Sequence, residues 1–573
     1  MLGLHDYTAW FAAFIFIFIL NYPVSRILIF DCAKPASDFK NGRVYKRFFE
    51  NRFVFLSMGI ALVLMLFILV IFHCFPFGDT TVLRMDLYHQ YGPLFVELFD
   101  RVTGAESFLY SWTSGGGSSF LGNYFNYLSS PFSAIIFLFD REQMPLAITT
   151  IVTVKCVLSA GSFAFYIKKS LNRHSPASAA FGVFYAFSAY FLAYFWNVMW
   201  LDGMMALPLL ALGIERIVNK NKGGLYLLTL IYIFYSTYYI GYMCCIFSVI
   251  YFIAYFLISN GKTKYISGYT PDEKRNKFKD LLHLTFIRSG FKFALCSLLA
   301  GLLCAFFLLP VYGILSGSSA TSDSAPDTFE MYFSLLDFIQ THFAGLETTI
   351  RSSGSDVLPN VYTSVLTMLL VPLYMVNPKI SFKEKTVYTG LIALFFISFN
   401  VNYINFFWHA FHFPNDLPYR YSFMYSFILL TIAFKGLMKL HAIRTKDIFI
   451  AAIIWVAFIA ATSELQTEKM RSDFAVYATL ALLLLYCGFL VAVRKKSVAR
   501  LVSGVLVTAL AFCEVVICDP NAFSFNQTQG AYTANYETYT DAVQYIEEND
   551  DGDYRTELCS LNTRMDPCHS PGI

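Results

Sequence analysis

The sequence predicts an all-α polytopic membrane protein of about 14 transmembrane helices with long extracytoplasmic loops, and three observations predict it. Hydrophobic residues make up 57% of the 573 and charged residues only 14%, where a soluble protein carries about 25% charged residues. The apolar residues fall in runs long enough to cross a hydrocarbon core, which takes roughly 20 residues of helix. Lysine and arginine alternate between heavy and sparse from one loop to the next, the signature of a chain that crosses a bilayer repeatedly.

Taken in order, the runs are 8–30, 53–75, 146–167, 177–195, 203–218, 224–239, 241–258, 290–313, 361–376, 386–400, 421–439, 448–463, 474–493 and 500–517. The 224–258 stretch is divided because a Tyr-rich turn near Tyr238, Tyr239, Ile240 and Gly241 interrupts 35 residues of apolar sequence. With that division, 30 Lys and Arg fall in loops on one side and 9 on the other, and three lie within spans. Basic loops face the cytoplasm, so both termini are expected outside a cell membrane. The first run lacks a basic leader and is followed by the basic loop 31–52, which does not suit a signal peptide. The chain thus divides into an N-terminal span with its basic loop (1–52), a polytopic body (53–517) and a tail (518–573).

Composition also excludes function classes. The net charge is +3 and no basic block alternates with solvent-facing aromatics, so nucleic acid is not an expected partner. Of 12 cysteines, Cys74, Cys156, Cys244, Cys245, Cys296, Cys304, Cys487 and Cys513 lie inside apolar runs, and no CxxC pair occurs, so no zinc ribbon or thioredoxin-like site is signalled. Cys559 and Cys568 could pair in an oxidising compartment. Ionisable residues inside spans are rare, Lys155, Glu215 and Glu514 among them. A carrier places more polar groups near the midplane and shows internal repeats.

The polar material is concentrated in the sparse-charge loops. The first, 76–145, opens with Asp79 and the stretch RMDLYHQYGPL at 84–94, which packs Arg84, Asp86, Tyr88, His89, Gln90 and Tyr91 together. A carboxylate near the headgroup layer can serve as general base toward a hydroxyl, or be a solvated loop residue. The same loop continues YSWTSGGGSSFLGNYFNYLSSPFS, whose glycines lack the GK[ST] of a nucleotide loop and suit either a close approach to a polar ligand or a flexible surface. Asp202, in WNVMWLDGMMALPLL, either caps the next helix or faces the same hollow as Asp86. In NYINFFWHAFHFPNDLPYRYSF, His409 and His412 lack a third ligand at metal-site spacing. Arg420 in that stretch is placed either to hold a phosphate or to anchor at the interface. The 314–360 loop, with His342, Glu347, Arg351 and Asp356, is either a lid or a plain polar loop.

The runs RMDLYHQYGPL, SWTSGGGSSFLGNYFNYLSSPF, MWLDGMMALPLLALGIERI and FPNDLPYRYSF, in that order, resemble the YfhO family of bacterial membrane proteins, which look like glycosyltransferases of the GT-C class. The resemblance implies a polyprenyl-phosphate-sugar donor and an extracytoplasmic cell-envelope acceptor such as lipoteichoic acid in a Gram-positive envelope. Carried onto this chain, Asp86 is the base that acts on the acceptor hydroxyl, with inversion, and Asp202 is a second acidic candidate. Arg420 and Arg84 would neutralise the leaving phosphate, while His89, Gln90, Tyr91 and Asn123 would orient sugar or acceptor. The resemblance fixes no cofactor and leaves a divalent cation open. Family members usually carry a β-rich extracytoplasmic domain after the last spans. The YRTE stretch at 554–557 resembles its beginning and the final residues do not resemble its continuation, so 518–573 is expected to be the start of a truncated domain. The other readings are a transporter or flippase for a lipid-linked saccharide, and a non-catalytic scaffold in envelope assembly.

Overall fold

In a computed structural model, the described residues are 48–104, 107–112, 117–259, 284–317, 324–349, 358–414, 416–465, 472–519, 527–534 and 536–549. The 8–30 span, Arg351, Asp356, the YRTE stretch and the Cys559–Cys568 pair lie outside them.

The described chain is a helical bundle without a named β-strand. Its main helices are α1 (Arg52–Ile71), α2 (Gly92–Thr103), α3 (Met144–Ser170), α4 (Pro176–Ala186), α5 (Ala189–Tyr194), α6 (Trp200–Lys220), α7 (Gly224–Ser236), α8 (Tyr238–Ser259), α9 (Thr285–Ser316), α10 (Val365–Val376), α11 (Phe382–Asn400), α12 (Asn402–Trp408), α13 (Ser422–Met438), α14 (Thr445–Leu465), α15 (Asp473–Arg494) and α16 (Arg500–Cys518). Among the described residues, seven helical stretches are long and apolar enough to cross a membrane, and four shorter apolar helices accompany them. Each expected span from 53 onward falls on a helix.

Two boundaries are set by backbone that hydropathy does not register. The 177–195 run is broken at Phe187–Ser188: Ser188 is extended, with φ −66° and ψ 157°, and Ala189 N–H leaves the helix ladder for the Tyr362 carbonyl at 2.8 Å. Residues 358–364 are not helical, and α10 begins only where Ser364 accepts the Thr367 N–H at 3.1 Å. The division of 224–258 is real and falls at Thr237, whose φ of −167° and ψ of 82° end α7. A further element is α2, an amphipathic helix within the first loop that buries Leu94, Phe95 and Leu98.

The core is built around α4, which packs on α1, α3 and α16. Close approach is enforced at Gly182, where a Cβ would come within 2.2 Å of Ser57 Oγ and 2.4 Å of the Ala160 carbonyl. Ser57 donates to the Ala160 and Ala179 carbonyls and so joins the three helices. Helices α6, α7 and α8 pack in sequence, α7 leans on α9, and α10 sits between α13 and α15. Much of α9 is exposed apolar surface, including Phe291, Leu298, Leu302, Phe306 and Leu309. At roughly 1.5 Å per residue its 32 residues exceed a bilayer's thickness.

The ionisable residues inside spans are satisfied by the protein. Glu215 accepts from Tyr166 at 2.8 Å and Tyr251 at 2.9 Å. Glu514 accepts from Tyr486 at 2.5 Å, from the Val365 N–H at 2.6 Å and from Tyr362. None of these needs water, which is how a polar group survives at depth.

The sparse-charge loops meet at one end of the bundle. Tail residues 527–534 fold back onto the first loop: the Thr81 N–H donates to the Gln527 carbonyl at 3.0 Å, the Gln529 N–H to the Asp79 carbonyl at 2.7 Å, and the Gly530 N–H to Asp79 Oδ1 at 3.1 Å. Tyr532 packs edge-on against Tyr88 with ring centroids 5.1 Å apart. The chain around 330–333 pairs with Asn400 and Asn402 at the same end.

Candidate active site

Asp86 starts the helical turn that leads into α2. Met85, immediately before it, has φ +48°, a region a non-glycine residue enters rarely and at a cost of order 1–3 kcal/mol. The next five residues, Leu87–Tyr91, form a π-turn. In an α-helix, residues five apart point about 140° apart. The wider turn brings Tyr91 round beside Asp86, so that Tyr91 Oη donates toward Asp86 Oδ2 over 3.3 Å. Tyr91 Oη also lies 3.1 Å from Asn197 Oδ1, and Asn197 Nδ2 is buried without a partner among the described residues. Turning the Asn197 amide over lets its NH2 donate to Tyr91 Oη and commits the phenolic proton to Asp86, a choice the hydrogen-bond network favours.

Arg420 arrives from a second strained loop. Ala410, Phe411, Asp416, Leu417 and Tyr419 all have positive φ, and Tyr419 at +63° directly precedes the arginine. Arg420 Nε donates to the Leu417 carbonyl at 3.1 Å. Its guanidinium lies over the rings of Trp200, 4.9 Å from the centroid, and Tyr239, 5.2 Å away. Stacking on two aromatic faces suits a planar guanidinium and leaves N–H donors to spare. Tyr239 in turn donates to the His409 carbonyl at 3.3 Å and Tyr242 to the Phe407 carbonyl at 3.0 Å, so the start of α8 cups the loop that carries Arg420.

The two groups act on the same pair of phenols. Tyr91 and Tyr127 stand with ring centroids 4.9 Å apart. Burial pushes the Tyr91 phenol well above its ordinary value, the negative charge of Asp86 pushes it further, and Arg420 pulls it down. Burial likewise raises Tyr127, again with Asp86 raising and Arg420 lowering. A carboxylate and a guanidinium thus both act on the tilted Tyr91–Tyr127 pair. Gln90 Nε2 donates to Tyr127 Oη at 3.2 Å and belongs to this group.

The remaining candidates are placed as follows. His89 is half-buried beside Tyr88, and its Nδ1 has no partner among the described residues. Arg84 is buried at 8% exposure, its Nη1 has no partner among the described residues, and burial lowers its pKa. Asn123 lies in the short turn Phe120–Asn123, next to Tyr124, whose hydroxyl meets Tyr235 Oη at 3.2 Å. Asp202 is sealed in the first turn of α6, where it does not cap the helix. Lys155 Nζ lies 2.6 Å from Oδ2, and Ser130 Oγ, at 3.0 Å, and Tyr232 donate to Oδ1. His409 Nδ1 pairs with the Asn405 carbonyl at 2.8 Å, and burial lowers the imidazole to about 3. Among the described residues no group of three or more His, Cys, Asp or Glu stands close enough to hold a metal ion.

Sequence reasoning missed Tyr127, Asn197, Trp200 and Tyr239. All four sit inside the loop and turn motifs, but aromatic and amide residues there carried no signal that set them apart from interfacial residues. Two cavities are lined by other residues, one by Thr341, Glu347, Thr349, Asn360, Tyr362 and Asp519 among others, the other by residues including Asp327, Thr328, Glu330, Asn402 and Phe413.

The family described as bacterial membrane protein YfhO matches residues 57–570. The Bacillus subtilis (strain 168) protein described as "Uncharacterized protein YfhO" is 22% identical over 435 residues, covering 72% of this chain and 45% of its own length. The chain thus spans about half of that curated relative. Among solved structures, the mycobacterial arabinofuranosyltransferase AftD aligns with a TM-score of 0.41 and 12% identity over 87% of this chain and 29% of its own.

Proposed function

This chain belongs to the YfhO family of bacterial membrane proteins, and from that premise we propose that it is a membrane glycosyltransferase of GT-C type. The sugar passes from a polyprenyl-phosphate carrier to a hydroxyl of a cell-envelope polymer, with lipoteichoic acid the class of acceptor the resemblance favours. One observation carries the reading: two loops with positive-φ residues present Asp86, 3.3 Å from Tyr91 Oη, and Arg420, laid over Trp200 and Tyr239, and both charges act on the Tyr91 and Tyr127 phenols.

In this reading the Asp86 carboxylate accepts the acceptor's proton as the acceptor oxygen bonds to the anomeric carbon. The bond from that carbon to the phosphate oxygen breaks, its electron pair leaves with the polyprenyl phosphate, and the anomeric configuration inverts. Arg420 stabilises the growing phosphate charge through donors its stacking leaves available. Tyr91, held by Asn197, orients the carboxylate. Gln90, His89 and Asn123 are the candidates for sugar or acceptor contacts, and Arg84 adds positive potential from behind. Asp202 is assigned to the scaffold, because its oxygens are already taken by Lys155, Ser130 and Tyr232. The lipid carrier would reach the hollow sideways from the bilayer, with the sparse-charge loops outside the cell.

The test is transfer of radiolabelled sugar from a polyprenyl-phosphate donor to an envelope acceptor by the purified protein in detergent, where no membrane exists to transport across. Transfer supports the enzyme. Failure in detergent combined with labelled-lipid translocation in vesicles would point instead to a flippase.

A further inference from the structure

A second polar site lies away from the Asp86 hollow, at the end of α16. Asp519 is 2% exposed, and its Oδ2 has no hydrogen-bond partner among the described residues. It follows directly on the last turn of α16, where the helix's exposed carbonyls already gather negative potential. Glu514, one and a half turns earlier, is buried too, and its oxygens are occupied by Tyr362, Tyr486 and the Val365 N–H. Neither acid makes an ion pair among the described residues. An uncompensated buried carboxylate is among the costlier features a fold can carry.

Asp519 lines a cavity of about 40 Å³ shared with Glu347, Thr341, Thr349 and Asn360. A single water needs about 10–15 Å³ by this measure, so the space holds an ion with a water or two. Its rim is held in shape: Asn360 receives the Thr349 N–H at 3.1 Å and donates to the Thr349 carbonyl at 2.8 Å, while Thr349 Oγ1 donates to the Leu358 carbonyl at 3.1 Å. Gly345, with φ +73°, turns the loop into the cavity wall. The oxygen-bearing side chains of the lining are the Asp519 and Glu347 carboxyls, the threonine hydroxyls and the Asn360 amide. Cys518 also lines the cavity, but one thiol with no histidine is not a zinc set.

We propose that Asp519 and Glu347 bind a hard divalent cation, Ca²⁺ in preference to Mg²⁺, in this cavity, and that the ion clasps the end of α16 to the 341–349 loop. Ca²⁺ accepts six to eight oxygens in irregular geometry, whereas Mg²⁺ demands a near-ideal octahedron, and two carboxyls, threonine hydroxyls and an amide drawn from separate segments suit the former. With only two carboxylates the affinity falls in the weak range of extracellular modules, a Kd of about 0.1–1 mM. The site is independent of sugar transfer, so either proposal survives the other's failure.

The test is thermal unfolding of the full chain in detergent after EDTA treatment, titrated with CaCl2, with MgCl2 and NaCl as controls, alongside equilibrium dialysis with radioactive calcium. Wild type is expected to bind one Ca²⁺ and to rise in Tm with saturation near 1 mM. Asp519→Asn is expected to lose both effects, and Glu347→Gln, an exposed position that leaves the buried core intact, to weaken binding at least tenfold. No calcium-dependent shift in wild type, or a shift unchanged in Glu347→Gln, overturns the proposal. So does an Asp519→Asn protein as stable as wild type without calcium dependence in either, which means the carboxyl sits there neutral.

Discussion

Lys155 Nζ lies 2.6 Å from Asp202 Oδ2, with both side chains at or below 1% exposure. The pair ties α3 to the first turn of α6, and Ser130 and Tyr232 complete the shell around the carboxylate. Two acidic residues stood out in the sequence as candidates for chemistry, and their surroundings differ: Asp202 is enclosed by a cation and two hydroxyls, whereas Asp86 is only partly buried beside Tyr91.

Removing one member of the Lys155–Asp202 pair strands the other in the interior. Asp202→Leu or Lys155→Met alone should cost about 3–5 kcal/mol and show as a large drop in Tm or in detergent-soluble yield. The double variant, which removes both charges, should be more stable than either single one. A double variant as damaged as the sum of the singles would show that the two residues are not coupled.

Tyr91→Phe removes the phenol that Asn197 holds against Asp86. A hydrogen bond to a charged group contributes about 1.5–3 kcal/mol, so kcat for sugar transfer should fall roughly 10- to 100-fold with KM little changed. An unaltered kcat would remove Tyr91 from the positioning of the carboxylate.

Arg420 rests between Trp200 and Tyr239 in a way an ammonium cannot copy. Arg420→Ala should raise KM for the lipid-phosphate donor at least tenfold, and Arg420→Lys should recover only part of that loss. Full recovery by lysine would reduce the role of the guanidinium to charge alone.

Acid should destabilise the fold through its buried imidazoles. Burial lowers His342 to about 4, while its Nδ1 meets the Phe338 carbonyl at 3.0 Å and its Nε2 meets Tyr425 Oη at 3.1 Å. The unfolded chain takes up this proton near pH 6.5 and the folded one only near 4. The stability tied to neutral His342 is therefore complete above about pH 6.5 and lost as pH falls toward 4. Tm measured in detergent should decline across that window, and His342→Gln should flatten the decline. His174, also held near 4 by burial, contributes with the same sign.

The spans from 53 onward were legible because hydropathy reports a residue's solvent and the solvent here is lipid. Even the break at Thr237 was close to the expected Tyr-rich turn. The interruption at Phe187–Ser188 was not legible, since apolar residues continue through it while the backbone departs to Tyr362. Asp86 and Arg420 stood out as candidates from their setting among polar residues. The π-turn that brings Tyr91 to Asp86 left no trace, because its five residues would also suit an α-helix. Nor could the sequence pair Lys155 with Asp202, 47 positions on, or bring residues 527–534 back to Asp79: polar segments without periodicity carry no record of what they meet.

The central claim is that Asp86 is the group that takes the acceptor's proton. The most direct measurement is single-turnover sugar transfer by purified Asp86→Asn, with donor binding and Tm recorded on the same preparation. If Asp86 is the base, transfer falls by at least about 10²-fold, the range general-base catalysis supplies, while donor affinity and Tm stay near wild type. Transfer at the wild-type rate by a folded Asp86→Asn protein would contradict it.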